Sequence, residues 1–170
     1  MAFARAIVIE PQCILFDEPL SALDAQLREQ MRTELRELTA KLGITSVFVT
    51  HDQTEAMSMS DKIAVLSGGI VEQYDRPEVV YAAPKTEFVA RFVGSSNWID
   101  EHHMFRPEKA SLEFKNHAQR FETRVVSLQF LGSCYQLGLQ YGEQRWVLPC
   151  EEKKSIGAVL PIYIDNRDCA

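Results

Sequence analysis

The sequence lacks a long apolar segment. No uninterrupted apolar run approaches the roughly 18 residues that a membrane-spanning helix needs, and the N-terminus has no charged stretch followed by an apolar one. We therefore expect any association with a membrane to depend on a partner protein.

Positive charge is also scarce. The 18 lysines and arginines are outnumbered by 24 aspartates and glutamates, which gives a formal net charge of −6. The basic residues are scattered, whereas a surface that binds a phosphate backbone is basic. Nucleic acid is therefore not an expected partner.

The four cysteines show neither redox nor metal-binding spacing. They stand at positions 13, 134, 150 and 169, without a C-x-x-C pair. This favours buried or incidental thiols in a reducing cytosol. The adjacent His102 and His103 could suggest a metal site, but no third ligand is nearby, which favours exposed loop residues.

Before residue 98, short apolar runs alternate with a helical pattern. Residues 13–16 and 44–50 predict buried strands. Apolar residues at spacings of three and four over 23–42 predict a helix that Gly43 ends. Strands separated by such helices predict β-α-β units and a parallel sheet.

Two shorter elements are predicted next. Asp52 and Glu55 have capping-box spacing, which indicates the start of a short helix. The β-like runs 62–66 and 70–73 flank the pair Gly68-Gly69, which predicts a hairpin.

Beyond residue 98 the sequence has a pattern typical of β-strands. Four short β-like stretches are separated by glycine, proline or Glu-Lys signals, and no amphipathic helix interrupts them. This pattern predicts a small all-β unit related to a barrel. The stretches are 121–131, 134–141, 144–149 and 158–164.

The first apolar strand ends in two acids, Asp17 and Glu18. Carboxylates gain nothing from lying beside a core, and ligands of open α/β sheets gather at the carboxyl ends of the strands. One acid there can hold Mg²⁺ and another can orient an attacking water. Alone, the pair fits equally well a solvated strand end before a helix-starting turn.

The surrounding residues resemble the ATPase family of ABC transporters from Ala4 to about Asn97. Cys13 to Asp17 is similar to the Walker B strand, residues 21–24 (SALD) to the D-loop, and His51, within residues 49–53 (VTHDQ), to the switch histidine. Residues 4–11 are similar to the helix that follows the family's signature loop.

The resemblance implies a role for five residues. Glu18 is expected to be the general base or to position the attacking water, and His51 to contact the γ-phosphate of ATP. Asp17, Ser21 and Asp24 are expected to bind the cofactor, with Asp17 holding Mg²⁺ through water. Asp24 would lie at the contact between two ATPase subunits, and it also fits a helix-start carboxylate. A lone histidine at a strand end is the alternative for His51.

Other parts of the family's machinery do not occur in the sequence. There is no G-x-x-x-x-G-K-[ST] phosphate loop, glutamine loop or signature before the Walker B strand. Residues 66–69 (LSGG) spell the start of the signature, but they follow the histidine and favour a hairpin turn. The chain is therefore expected to begin just after the signature, to expose apolar sheet surface, and to be inactive alone.

The second region resembles the accessory domain of importer ATPases for polyamines, ferric iron, phosphonates and related solutes. Residues 104–108 (MFRPE) are similar to the Arg-Pro-Glu turn of their OB-like TOBE domain, and only residues 98–105 separate this turn from the linker. The front of the barrel is therefore expected to be missing. The remaining similar stretches are 77–81, 86–93 and 94–97 in the linker and 121–132 and 156–165 in later strands.

The predicted fold class is α/β. Residues 1–97 are expected to form the C-terminal half of a P-loop NTPase (ABC ATPase) domain with its linker. Residues 98–170 are expected to form a partial all-β, OB-like TOBE domain, and both domains are expected to be incomplete.

The function that the resemblance implies is that of an ATP-binding and ATP-hydrolysing subunit of an ABC importer. The expected cofactors are ATP and Mg²⁺, and the expected partners are transmembrane permease subunits and a second ATPase subunit. The expected location is cytoplasmic, at the inner face of the cell membrane through the permease, without direct membrane insertion. The alternative is a non-catalytic module that associates with partner subunits but does not bind ATP. The solute is not predicted.

Overall fold

The computed structural model describes residues 6–169, without the side chain of Asn166. Two compact units follow each other: the first ends at Val80 and the second begins at Tyr81. The boundary predicted between residues 97 and 98 separates the two domains known from the family, which need not coincide with these compact units. It stays a prediction. Of the predicted N-terminal helix, residues 4 and 5 lie outside the described residues, and residues 6–8 are helical.

The first unit contains a β-α-β arrangement. Its elements are β1 (Cys13–Asp17), α1 (Ala25–Leu42) and β2 (Thr45–Val49). The two strands pair in parallel, with Asp17 opposite Val49. The predicted parallel pairing is therefore confirmed.

Helix α1 begins and ends at residues suited to those positions. The carboxylate of Asp24 accepts the N–H of Leu27 at 3.0 Å, which satisfies a donor that has no partner within the helix. Gly43 ends the helix with a φ of 64°, a left-handed conformation that glycine adopts without steric cost. The predicted end of the helix is confirmed.

Strands β1 and β2 were predicted to be buried, but the structure buries only one face of the sheet that they form. Phe48 packs toward the cluster of Leu20, Leu35 and Met59, but the other face is bare. Leu15, Val47 and Val49 are 77%, 46% and 57% exposed. Strand residues alternate between faces, and the described part of this sheet pairs only two strands. The predicted exposure of apolar sheet surface is confirmed.

We expect this bare face to make the chain self-associate, because exposed apolar faces and open strand edges drive pairing. Sedimentation at micromolar concentration should show a dimer or a larger assembly, and Val47→Lys should shift it toward the monomer. The control Ile156→Lys, which replaces an exposed apolar residue of the second unit, should not. A well-folded parent monomer with cooperative melting would contradict the prediction.

The first unit continues with α2 (Gln53–Met59), β3 (Ile63–Ser67) and β4 (Ile70–Asp75). Strands β3 and β4 pair in an antiparallel hairpin. Gly68 and Gly69 form its turn with φ values of 56° and 81°, which fits a two-residue turn with two left-handed positions. Residues 66–69 are therefore a hairpin turn, as predicted.

The second unit is built around a four-stranded antiparallel sheet. The segments before it are helices α3 (Pro77–Ala82), which spans the junction of the units, and α4 (Glu87–Phe92), the short paired strands β5 (Asn97–Trp98) and β6 (Met104–Phe105), and a 3-10 turn (Pro107–Lys109). The sheet strands are β7 (Ala118–Phe130), β8 (Tyr135–Tyr141), β9 (Gln144–Cys150) and β10 (Val159–Asp165), in the order β10-β7-β8-β9. The four predicted strands are confirmed, and a second 3-10 turn (Asn166–Asp168) follows them.

Trp146 lies at the centre of the second unit's core. Its ring meets those of Phe105 and Phe121 edge to face, with centroids at 4.9 and 5.3 Å, and it stacks on Tyr141 at 4.6 Å. Its indole N–H donates to the carbonyl of Trp98 at 2.7 Å. The one polar atom of this buried side chain is thus satisfied.

The two outer strands of this four-stranded sheet, β9 and β10, have fewer unpaired backbone groups than the predicted loss of barrel strands implies. At β9, the N–H of Val147 donates to Oδ1 of Asn97 at 2.7 Å, and Nδ2 of Asn97 donates to the carbonyl of Val147 at 2.9 Å. By strand alternation, Pro149 faces the same edge and has no N–H to offer. At β10, Ser111 pairs with Tyr163. The expected loss of barrel strands would leave the edges of this sheet unpaired, and that expectation is wrong at these positions, because nearby groups take up the backbone hydrogen bonds.

Candidate functional site

The carboxyl ends of β1 and β2 bring Glu18 and His51 together. Nδ1 of His51 lies 3.2 Å from Oε1 of Glu18. Parallel strands end at the same edge of a sheet, so residues that follow them become neighbours. Both side chains remain accessible, with 74% of His51 and 47% of Glu18 exposed.

The backbone of Glu18 is held in an uncommon conformation. Its φ is 44°, a left-handed value that a residue with a Cβ adopts only when its surroundings impose it. Its N–H donates to the carbonyl of Val49 at 2.8 Å, and its own carbonyl accepts the hydroxyl of Ser21 at 2.9 Å. These bonds fix the turn that presents the Glu18 carboxylate to His51.

His51 lies between two residues that order the start of α2. Oδ1 of Asp52 accepts the N–H groups of Thr54 and Glu55 at 2.8 and 3.2 Å. The hydroxyl of Thr50 donates to Oε2 of Glu55 at 2.7 Å and accepts the N–H of Asp52 at 2.9 Å. The predicted helix start is confirmed, with Thr50 mediating between Glu55 and the Asp52 N–H.

Asp52 is stabilised in its charged form. Burial raises its pKa, but the N–H bonds to its carboxylate and the positive charges of Arg32 and Arg28 together hold that pKa below its usual value. A negative charge therefore persists beside His51 at neutral pH.

Arg28 is a residue of the site that the sequence analysis missed. Its Nη2 donates to the carbonyl of Leu23 at 2.8 Å, and its Nη1 lies 3.5 Å from Oδ2 of Asp52. A signal was present in its position four residues after Asp24, one helical turn beyond the SALD segment. Nothing in the sequence pattern indicated its reach to Asp52, which is 24 residues away.

The remaining predicted site residues lie at different points of this turn. Asp17 is exposed at the end of β1, directly before Glu18. Ser21 is bonded to the Glu18 backbone. Asp24 caps α1, so the helix-start interpretation of that residue is confirmed. Its predicted place at a subunit contact stays a prediction.

A crevice of about 30 Å³ opens among the clustered side chains, and it has room for about one water molecule. A larger groove of about 390 Å³ runs along α1 to Ser58 and Met59, and none of the predicted site residues lines it. The crevice is lined by Glu18, Ser21, Arg28, Thr50, His51, Asp52 and Glu55.

Within the part of the chain that the structure describes, no group of three or more His, Cys, Asp or Glu residues is placed to hold a metal ion. His103 pairs with Asp100, whose carboxylate lies 2.9 Å from its Nδ1. All four cysteines are free thiols. No helix over residues 6–169 combines the length and the apolar character that crossing a membrane requires.

The sequence is similar to three named import proteins, although no family model matches it. It is 35% identical over 196 residues to the spermidine/putrescine import ATP-binding protein PotA of Borreliella afzelii. That alignment covers 99% of this chain and 56% of PotA. It is 39% identical over 159 residues to the sulfate/thiosulfate import ATP-binding protein CysA of Pectobacterium atrosepticum, covering 91% and 48%. It is 60% identical over 95 residues to the sn-glycerol-3-phosphate import ATP-binding protein UgpC of Chromohalobacter salexigens, covering 56% and 26%.

The chain is homologous to the ATP-binding subunits of ABC importers. The family resemblance that the motifs predicted is therefore confirmed. The chain spans about half the length of the relatives it matches. The 196 aligned positions with PotA exceed the 170 residues of the chain, so PotA has at least 26 residues there without a counterpart. The three relatives are named for different solutes.

Proposed function

We propose that this chain carries the second part of the ATP-hydrolysing site of an ABC importer subunit. The observation that supports the proposal is the 3.2 Å approach of Glu18 and His51 at the carboxyl ends of two parallel strands. In this proposal the phosphate loop, the glutamine loop and the signature are supplied from outside these 170 residues.

Glu18 is proposed as the general base, or as the group that orients the attacking water. Its carboxylate is accessible, and the bonded turn beneath it limits its movement, which is what orientation of a water requires. His51 is proposed to contact the γ-phosphate. Because its Nδ1 faces Glu18, Nε2 is the nitrogen available to a phosphate oxygen, where an N–H donor stabilises developing charge.

Asp17 is proposed to hold Mg²⁺ through water. The fit rests on its donor type, since it offers an exposed carboxylate beside Glu18 and Mg²⁺ takes oxygen ligands while keeping several waters. When bound, Mg²⁺ neutralises charge on the phosphate oxygens. Ser21 supports the Glu18 turn, and Asp24 is proposed at the contact with a second ATPase subunit while its carboxylate caps α1.

The second region is proposed as a partial OB-like TOBE domain beginning near residue 98. Its antiparallel sheet supports this proposal, and so does the β9 edge, where Asn97 bonds the backbone of Val147. PotA has 26 or more residues without a counterpart in this chain, and a shortened segment between Asn97 and Arg106 would produce such a difference. The proposed partners are permease subunits, which would keep the chain at the inner face of the membrane.

The proposal is tested in a longer protein in which this chain follows an ATPase segment with a phosphate-binding loop, here called the loop-containing protein. We expect it to hydrolyse Mg-ATP. A folded loop-containing protein that binds Mg-ATP without hydrolysing it would contradict the roles of Glu18 and His51. Sequencing of the transcript upstream of Met1 shows whether such a segment exists naturally.

The 170-residue chain alone should bind Mg-ATP no tighter than about millimolar and show no ATPase activity above background. No phosphate loop occurs in its sequence, so no nest of N–H groups or loop lysine neutralises the phosphates. This property would also hold for the alternative function, a non-catalytic binding module. Titration calorimetry is the measurement, and micromolar affinity would contradict the expectation.

A further inference from the structure

We propose that Arg28 is a positioning residue that ties the SALD turn to the His51 turn and so keeps Glu18 against His51. The inference rests on the proposed function of those two residues. All the contacts that carry it lie within the first unit of this chain, so it can be tested without hydrolysis.

The bridge that Arg28 makes ends close to both members of the pair. On one side its Nη2 donates to the carbonyl of Leu23 at 2.8 Å, two residues after Ser21, whose hydroxyl bonds the Glu18 carbonyl. On the other side its Nη1 lies 3.5 Å from Oδ2 of Asp52, directly after His51. Removing the bridge would therefore release two turns whose separation sets the Glu18–His51 distance.

The chemistry of arginine suits this task. A guanidinium presents several donors in a rigid plane, so one side chain can reach a carbonyl and a carboxylate at once, whereas lysine carries a single compact charge. Nε of Arg28 is buried and has no hydrogen-bond partner among the residues that the structure describes, which costs free energy. The side chain therefore stays in this position because its other contacts offset that cost.

The other arginines of α1 do not make such a bridge. Arg36 donates to the carbonyl of Ser58 at 2.8 Å and lies 3.9 Å from Asp61, away from the SALD turn. Arg32 pairs with Glu29 on the same helix. Arg36 is therefore a matched control, because its loss removes an equal charge and equal donors from the same helix.

The readout is the nuclear Overhauser contact between the Glu18 side chain and the His51 ring in the 170-residue chain at neutral pH. Arg28→Met keeps the length of the side chain and removes its donors, and it should abolish the contact. Arg28→Lys should restore part of it, because the charge near Asp52 returns without the fork. Arg36→Met should leave the contact unchanged, although it also removes a hydrogen bond and so lowers the melting temperature.

A second variant covers the case in which Arg28→Met does not fold. Asp52→Asn retains a good helix cap but removes the charge that Arg28 faces, and it should also weaken the contact. The proposal is overturned if the contact is absent in the parent, survives in Arg28→Met, is as strong in Asp52→Asn as in the parent, or is lost equally in Arg36→Met. Failure of the loop-containing protein to hydrolyse ATP would count against the proposed function and leave these results standing.

Discussion

Replacing Glu18 by glutamine should lower ATP hydrolysis by the loop-containing protein at least about a hundredfold, the scale expected when general-base or water-positioning chemistry is lost. The amide has nearly the same shape as the carboxylate, and its oxygen can still accept a hydrogen bond from His51. The fold and the affinity for Mg-ATP should therefore remain close to those of the parent. Steady-state phosphate release measures the rate, and nucleotide titration measures binding.

The matched control is Glu37→Gln, which removes the same charge from an exposed position of α1. It should leave the hydrolysis rate within about twofold of the parent, because exposed charges this far from the reacting groups are screened. Glu18→Gln should in addition accumulate a nucleotide-bound dimer, because losing the charge favours the bound state. If Glu18→Gln hydrolysed ATP near the parent rate, Glu18 would have no catalytic role and would be only a solvated acid at a strand end.

The grouping of Asp17, Glu18 and His51 at the carboxyl ends of β1 and β2 could be predicted from the sequence, because local signals place these residues. An apolar run ending in Asp17-Glu18, and another ending before His51, put all three side chains at one edge once the strands pair in parallel. The glycine turn at Gly68-Gly69 and the helix end at Gly43 are equally local, since backbone conformations with positive φ favour glycine.

Burial and long-range bonds could not be predicted in the same way. The run at 44–50 has the composition of a buried strand, but burial depends on what packs against it: Phe48 packs toward the helical layer, whereas Val47 and Val49 stay exposed. The bridge by Arg28 and the Asn97 bonds to Val147 join residues 24 and 50 positions apart. Such contacts carry no periodic signal, because a single long or amide side chain makes each of them.

Replacing Arg106 by methionine should destabilise the second unit by about 3–5 kcal/mol, the scale of the large losses that follow when a buried hydrogen-bond network is broken. Arg106 is only 4% exposed, and burial lowers its pKa from the usual value. Carbonyl dipoles surround the charge: the guanidinium donates to Tyr81 at 2.9 and 3.2 Å, to Ala90 at 2.9 Å, and to Gly94 and Ser95 at 3.1 Å. Its Cζ atom also lies 4.2 Å from the centroid of the Tyr81 ring.

Methionine would fill most of the space but leave those carbonyls without their donor, and each unsatisfied buried group costs about 1–3 kcal/mol unless water reaches it. Arg106→Lys should rescue only part of the loss, because a single ammonium cannot reach carbonyls on several sides. The matched control Arg120→Met removes an exposed cation 3.8 Å from Glu122 and should cost less than about 1 kcal/mol. Urea unfolding followed by the fluorescence of Trp98 and Trp146, both in the second unit, measures all three variants. A loss below about 1 kcal/mol for Arg106→Met would mean that water or another donor replaces the guanidinium at these carbonyls.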